Sequence, residues 1–440
     1  MEDNKQALFQ LDGKPSLGQI VPLGLQHVLA AVVGVVTPAI LVANRVGLDK
    51  ADTTLMIQIA LMTTAIATLI QVCRFGPVGS RLPVIMGSSF AYVPTLLAIG
   101  GQYDLATILG AQIVGGCVAI LFGCFVKQIR VLFPSLVTGT VIFTIGLSLY
   151  PVAIRYMAGG TVTLDWMPAF GAMQYWIVAL ITFAVVVFCN FYTKGAFKLA
   201  SILIGIIIGY IVALAMGLVS FAPVQAAPHL QLPSLKFGVK FVPAACVSMA
   251  VMFIVNSVQT IGDLTSTTMG GLDREPSDTE LRGAIFCQGV ASIGGAFFGG
   301  LPTASYSQNV GIVTVNRVVN RRVFMFAALI ILIAGLLPKF SALITTIPYC
   351  VIGGATLSVF ATITMTGIRM IALNPLTMRN TAVVGLSVAL GVGITQVQGS
   401  LAGFPAWVTT VFGSSSVVMA TLMAIILNLV LPKTEADKAK

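Results

Sequence analysis

Two histidines and fourteen acidic residues are the side chains of this 440-residue chain best suited to proton chemistry. Thirteen of the acids fall in tails or between apolar runs, and only Asp263 lies within or at the end of one. His27 lies in the first apolar run and His229 in a loop between runs. An ionisable group inside a membrane is costly to keep and points by default to a functional role. Carboxamides recur beside them: Gln259, Gln288, Gln308 and Asn309. Gln259 and Asp263, four residues apart, share one helix face. A carboxamide offers two donors and an acceptor, which suits a planar ligand with alternating donors and acceptors, such as a nucleobase. Phe90 and Tyr92 offer rings on which a base could stack. Interhelical hydrogen bonding and packing are the plainer uses of the same residues.

The elements that position these groups must be membrane helices. Hydrophobic residues make up 57% of the chain and charged ones 9%, with mean hydropathy +0.99. A soluble domain carries about 25% charged residues, so a water-soluble, disordered, collagenous or coiled-coil chain is excluded. HExxH, GxSxG, Walker and paired-aspartate motifs are all missing, which argues against an intramembrane enzyme. The seven cysteines form no CxxC pair, so buried free thiols are expected rather than disulfides or a metal site. No cofactor or metal is expected. Gly205 with Gly209 and Gly295 with Gly299 read as small-residue faces for close helix packing.

Fourteen apolar segments are expected, near 18–43, 53–73, 83–99, 105–126, 132–154, 173–192, 197–220, 242–263, 281–299, 302–316, 323–342, 346–368, 379–397 and 407–431. Segments 83–99 and 302–316 are poor helices, short and rich in Gly, Ser and Pro. The N-terminus lacks the basic and apolar regions of a signal peptide, which places it in the cytoplasm. The 24 basic residues then divide into about 18 inside and about six outside: Arg45, Lys50, Arg155, Lys236, Lys240 and Lys339. That bias fits a multi-pass protein of the inner (plasma) membrane with both termini cytoplasmic. It explains the net charge of +10 without a nucleic-acid partner.

The two halves echo each other. Leu82-Pro83 precedes Gly87-Ser88-Ser89-Phe90, and Leu301-Pro302 precedes Ser307-Gln308-Asn309. A Pro-x-x-Val-x-Gly pattern recurs at Pro134, Val137, Gly139 and at Pro348, Val351, Gly353. Seven segments per half require the second half to enter the membrane from the opposite side. An inverted repeat with paired broken segments points to a secondary transporter whose site lies at mid-membrane.

The run from Gln308 through Asn309, Gly311 and Arg317 resembles the signature of the nucleobase–ascorbate transporter family, the xanthine/uracil permeases, in its purine-type form. Gln26-His27, Gly87-Ser88-Ser89-Phe90-Ala91 and Gly262-Asp263 resemble three further motifs of that family. The resemblance implies an all-α integral membrane protein of 14 segments in a 7+7 inverted repeat, with halves 1–220 and 221–440. Segments 3 and 10 would each hold a short strand and a half-helix, and core and gate domains would each interleave both halves. It also implies purine transport (xanthine, uric acid, guanine or hypoxanthine) by alternating access, coupled to protons. By position, Gln308 would face the base edge and Asn309 orient it. Phe90, Ala91 and Ser89 would provide stacking and backbone contacts, and Gln259 a hydrogen bond to the base. Asp263, His27 and Gln288 would support the site. Three departures stand out: Gln259 and Gln288 where relatives carry acids, and Asn316 where the signature has Thr. Gln259 cannot titrate, so an uncoupled nucleobase facilitator or channel is the alternative. A sulfate-type anion exchanger of the same architecture is a second alternative, and the absence of a mid-span Arg or Lys argues against it. Homodimerisation is compatible with the sequence.

Overall fold

The computed structural model describes residues 7–129, 134–160, 168–228, 234–397, 399–413 and 415–432. His229 and Arg130 lie outside them. Fifteen helices frame the molecule: α1 (Leu17–Val46), α2 (Lys50–Cys73), α3 (Val93–Gln102), α4 (Leu105–Cys124), α5 (Ser135–Met157), α6 (Met173–Tyr192), α7 (Ser201–Ala215), α8 (Pro243–Leu272), α9 (Asp278–Phe298), α10 (Ser307–Asn316), α11 (Arg321–Leu336), α12 (Pro338–Thr345), α13 (Tyr349–Ala372), α14 (Met378–Gln396) and α15 (Ser416–Val430). Shorter helical turns join some of them. Nine helices of the described residues are long and apolar enough to cross a membrane. A tenth crossing results if α11 and α12 form one span, bent by 79°. Pro338 at the start of α12 accounts for that bend, since proline cannot donate to the preceding turn.

Polar starts define several helix ends. Asp49 caps α2 and Asp104 caps α4, each accepting a backbone N–H of the first turn. Ser277 and Glu280 form a reciprocal capping box at α9. The long α8 runs nine residues beyond Asp263, further than the apolar segment 242–263 predicts. In its polar continuation Thr265, Thr267 and Thr268 satisfy their hydroxyls on carbonyls one turn back, so they need no outside partner.

The two poor helices of the sequence each hold a strand. β1 (Met86–Ser88) and β2 (Thr303–Ser305) pair antiparallel, with Met86 opposite Ser305 and Ser88 opposite Thr303. All six residues are buried, so the backbone groups the ladder leaves over need partners. The Thr68 hydroxyl contacts both the N–H and the carbonyl of Met86, each at 3.1 Å. The Ser292 hydroxyl accepts from the Thr303 N–H at 3.0 Å. The Tyr306 hydroxyl donates to the Ser88 carbonyl. Its ring lies between two glycines: a Cβ on Gly34 would stand 2.6 Å from it and one on Gly87 2.9 Å. A side chain at either position would expel the ring.

Around this pair, α4 packs on α8 and α9, and α2 on α11. Separately, α5 packs on α13 and α14 on α15. The glycines partly fit the packing expectation. Gly205 and Gly209 meet Val186 and Thr182 of α6, but Gly299 ends α9 with φ +95°, a left-handed cap. The cysteines are all free, but only Cys189, Cys287 and Cys350 are buried. Cys117 and Cys124 sit on the exposed face of α4, where an apolar thiol suits the exterior of a membrane helix.

Candidate functional site

β1 leads through one 3₁₀ turn (Phe90–Tyr92) into α3, and β2 leads through Tyr306 directly into α10. Both ten-residue helices therefore begin at the strand pair. Their starts carry the positive end of the helix dipole, although the Val93, Asn309 and Val310 N–H groups are already bonded to the carbonyls of Phe90 and Tyr306. Such termini favour acceptor atoms of a ligand.

The first turn of α10 is held by α8 and α1. The Ser307 hydroxyl donates to Asp263 Oδ1 at 2.8 Å, and Ser305 donates to Oδ2 at 2.5 Å. Gln259 Nε2 donates to the Ser307 hydroxyl at 3.3 Å. Asp263 is thus buried between two serines and makes no ion pair among the described residues. On the other flank, Asn309 Nδ2 donates to both Nδ1 and the carbonyl oxygen of His27, each at 3.0 Å. An amide nitrogen can only donate, and the carbonyl contact fixes which way the amide points. His27 Nδ1 is therefore the acceptor, and the ring proton sits on Nε2. His27 is fully enclosed and packs on Phe324 at 4.3 Å.

Gln288 lies deeper. Its Nε2 donates to the Tyr92 hydroxyl at 2.8 Å, and its Oε1 accepts from Thr260 at 3.0 Å. Thr260 lies 3.4 Å from the Ser305 hydroxyl, whose one proton goes to Asp263. Two hydrogen-bonded series thus meet there, one of Tyr92, Gln288 and Thr260 and one of Ser305, Asp263, Ser307 and Gln259. Satisfied buried networks of this kind rigidify a core.

Beside the series is open space. Ser307, Gln308, Gly262 and Gly311 are exposed, and Gln259 is half-buried. A Cβ built on Gly262 or Gly311 would meet nothing within 4 Å. This open strip along α8 and α10, the crevice, holds both glutamines. On the β1 side, Ala91 and Phe90 are buried, and Ser89 accepts the Ala91 N–H at 3.2 Å. The Phe90 ring meets Phe360 of α13 edge to face at 5.3 Å. The residues marked in the sequence thus converge on one strand pair. Ser305, Ser307, Thr260 and Phe360 complete the arrangement. The serines and the threonine flank sequence motifs already marked, whereas Phe360 has no sequence signal at all.

A model of a permease family, the Xan_ur_permease family, matches residues 18–400. The chain belongs to this family. It is 34% identical to the putative purine permease CPE0397 of Clostridium perfringens, across 97% of this chain and 93% of that protein. It is 33% identical to the uric acid permease PucJ of Bacillus subtilis, across 93% and 92%. Identity to the xanthine permease XanP of Escherichia coli is 30%, across 98% and 95%. Among solved structures, the chain resembles the transmembrane domain of the cyanobacterial bicarbonate transporter BicA. That match has TM-score 0.60 at 14% identity and covers 96% of this chain and all of that one. It also resembles murine Slc26a9, an anion transporter, with TM-score 0.62 at 10% identity and 94% and 68% coverage. These two likenesses bear on the fold alone. Membership, with the apolar helices, makes the chain a multi-pass membrane permease, and not an enzyme.

Proposed function

We propose that this permease carries purine nucleobases of the xanthine, uric acid, guanine or hypoxanthine class, and that Gln308 and Gln259 read the base edge. The observation that carries this reading is the open crevice in which two carboxamides meet the start of one half-helix: Gln308 in the first turn of α10, and Gln259 of α8 bonded to Ser307. Their donors and acceptors match the edge of an oxopurine, and relatives named for purine, uric acid and xanthine share the whole chain length. Phe90 and Ala91 would face the flat side of the base, with Ser89 shaping that turn. Asn309, held by His27, would set the orientation of Gln308 beside it.

The strand–half-helix pair supports a 7+7 inverted repeat with halves 1–220 and 221–440. In this reading α1–α4 and α8–α12 form a core, α5–α7 and α13–α15 form a gate, and both termini are cytoplasmic. Movement of the core against the gate would expose the crevice to either side in turn. Asp263 and His27 are the titratable groups placed to couple protons to that movement. Gln259 and Gln288 cannot titrate, which favours as second reading an uncoupled facilitator with the same site. The anion-exchanger reading is weakened by the absence of a cationic side chain among the groups bonded at the start of α10. A thermal-shift panel of purines and pyrimidines on the purified protein tests substrate class: selective stabilisation by oxopurines is expected, and stabilisation by uracil alone would refute it. Uptake with and without a pH gradient separates symport from facilitation.

A further inference from the structure

A cavity of about 600 Å³ opens between α1, α3, α5, α14 and α15 and shares no lining residue with the α8–α10 crevice. This volume lies in the range of small-molecule sites. Among the described residues, two arginines line it, Arg45 and Arg155, and no aspartate or glutamate does. Arg45 is pre-positioned: its Nε donates to the Leu97 carbonyl at 3.1 Å. Its guanidinium lies flat on Gly101, where a Cβ would stand 2.1 Å from Nη2. Neither arginine forms an ion pair among the described residues. Lys236 pairs with Asp52, and Lys240 with Asp104. The Lys240 ammonium holds the Asp104 carboxyl down to about 2. A hydrogen bond between Thr95 and Ser415, 3.1 Å long, joins α3 to the start of α15 at the cavity wall.

An apolar-walled cavity with two guanidinium groups that have no ion-pair partner, and no acid, among the described residues favours an anion that is flat, because guanidinium both stacks on rings and pairs with oxyanions. We propose that this cavity is a second binding site, selective for the monoanion of an oxopurine held between Arg45 and Arg155. The proposal rests on the purine reading of the permease. In the cytoplasmic-termini orientation the cavity faces outward, where it would gather anionic substrate ahead of the crevice.

Urate, a monoanion at neutral pH, and hypoxanthine, neutral there, are the probes. Equilibrium binding to the full-length protein in detergent is compared for wild type, Gln308→Ala, and Gln308→Ala combined with Arg45→Gln and Arg155→Gln. Gln308→Ala is expected to retain urate binding that weakens with added salt, as exposed charge interactions do, and to lose hypoxanthine. Adding the two Arg→Gln changes should abolish the residual urate binding. Adding Arg45→Lys and Arg155→Lys instead should preserve part of it, which separates loss of charge from misfolding. Absence of salt-sensitive urate binding in Gln308→Ala, or its persistence after both Arg→Gln changes, overturns the proposal. The purine reading is judged separately, by whether wild-type protein binds hypoxanthine and Gln308→Ala does not.

Discussion

Asp263 gives each of its two oxygens to a serine hydroxyl, and those serines bracket the turn from β2 into α10. Its charge state and the position of Gln308 are therefore mechanically linked. Asp263→Asn keeps the shape but removes the titration, so the pH profile of uptake should flatten while the protein still binds purine. An unchanged profile would shift attention to His27. The glutamines bear on affinity more directly. Gln259→Ala and Gln308→Ala should each weaken purine binding by about 1–3 kcal/mol, the cost of leaving a buried base edge unpaired. Isothermal titration checks this, and wild-type affinity in both would show that the base binds elsewhere. These residues were legible from sequence because ionisable and amide groups are rare in apolar runs. Ser305, Ser307 and Thr260 were not, because hydroxyls are common there and usually bond their own helix. Gln288, expected to support the site, is held in the interior by its hydrogen bonds to Tyr92 and Thr260.

At the scale of elements, the strand pair and its half-helices are the unit that positions the site. Glycine, serine and proline marked 83–99 and 302–316 as poor helices. Sequence alone could not pair the two strands, because their register rests on contacts more than 200 residues apart, such as Tyr306 to Ser88. Two glycine substitutions separate packing from function. Gly87→Val would drive a Cβ within 2.5 Å of the Thr64 hydroxyl, so the melting temperature should fall sharply. Gly311 faces empty space within α10. Gly311→Ala should then stabilise the helix by roughly 0.5–1 kcal/mol, whereas Gly311→Leu should fold normally and lose purine uptake. A Gly311→Leu variant with full uptake would place the substrate outside the crevice.

At the scale of the whole molecule, the helices around the strand pair meet α13–α15 at few polar points. Thr95 with Ser415 is one such contact, and the Phe90 and Phe360 rings add an apolar one. If the two groups of helices move against each other, a Thr95→Cys, Ser415→Cys pair should stop uptake on oxidation and regain it on reduction. Uptake unaffected by a completed crosslink would argue for a fixed pore. Hydropathy alone revealed the membrane class, since apolar runs of about 20 residues have few alternatives; against fourteen expected segments, nine or ten helices among the described residues are long and apolar enough to cross. It could not reveal how helices from both halves interleave, because any apolar face suits lipid and helix alike.

The central claim is that the crevice between α8 and α10 carries purine bases, and uptake of labelled xanthine by proteoliposomes tests it most directly. Wild-type protein should accumulate xanthine in competition with unlabelled uric acid and not with uracil, and Gln308→Ala should lose roughly tenfold or more in kcat/KM. Uptake that uracil suppresses and uric acid does not, or that Gln308→Ala leaves unchanged, would contradict it.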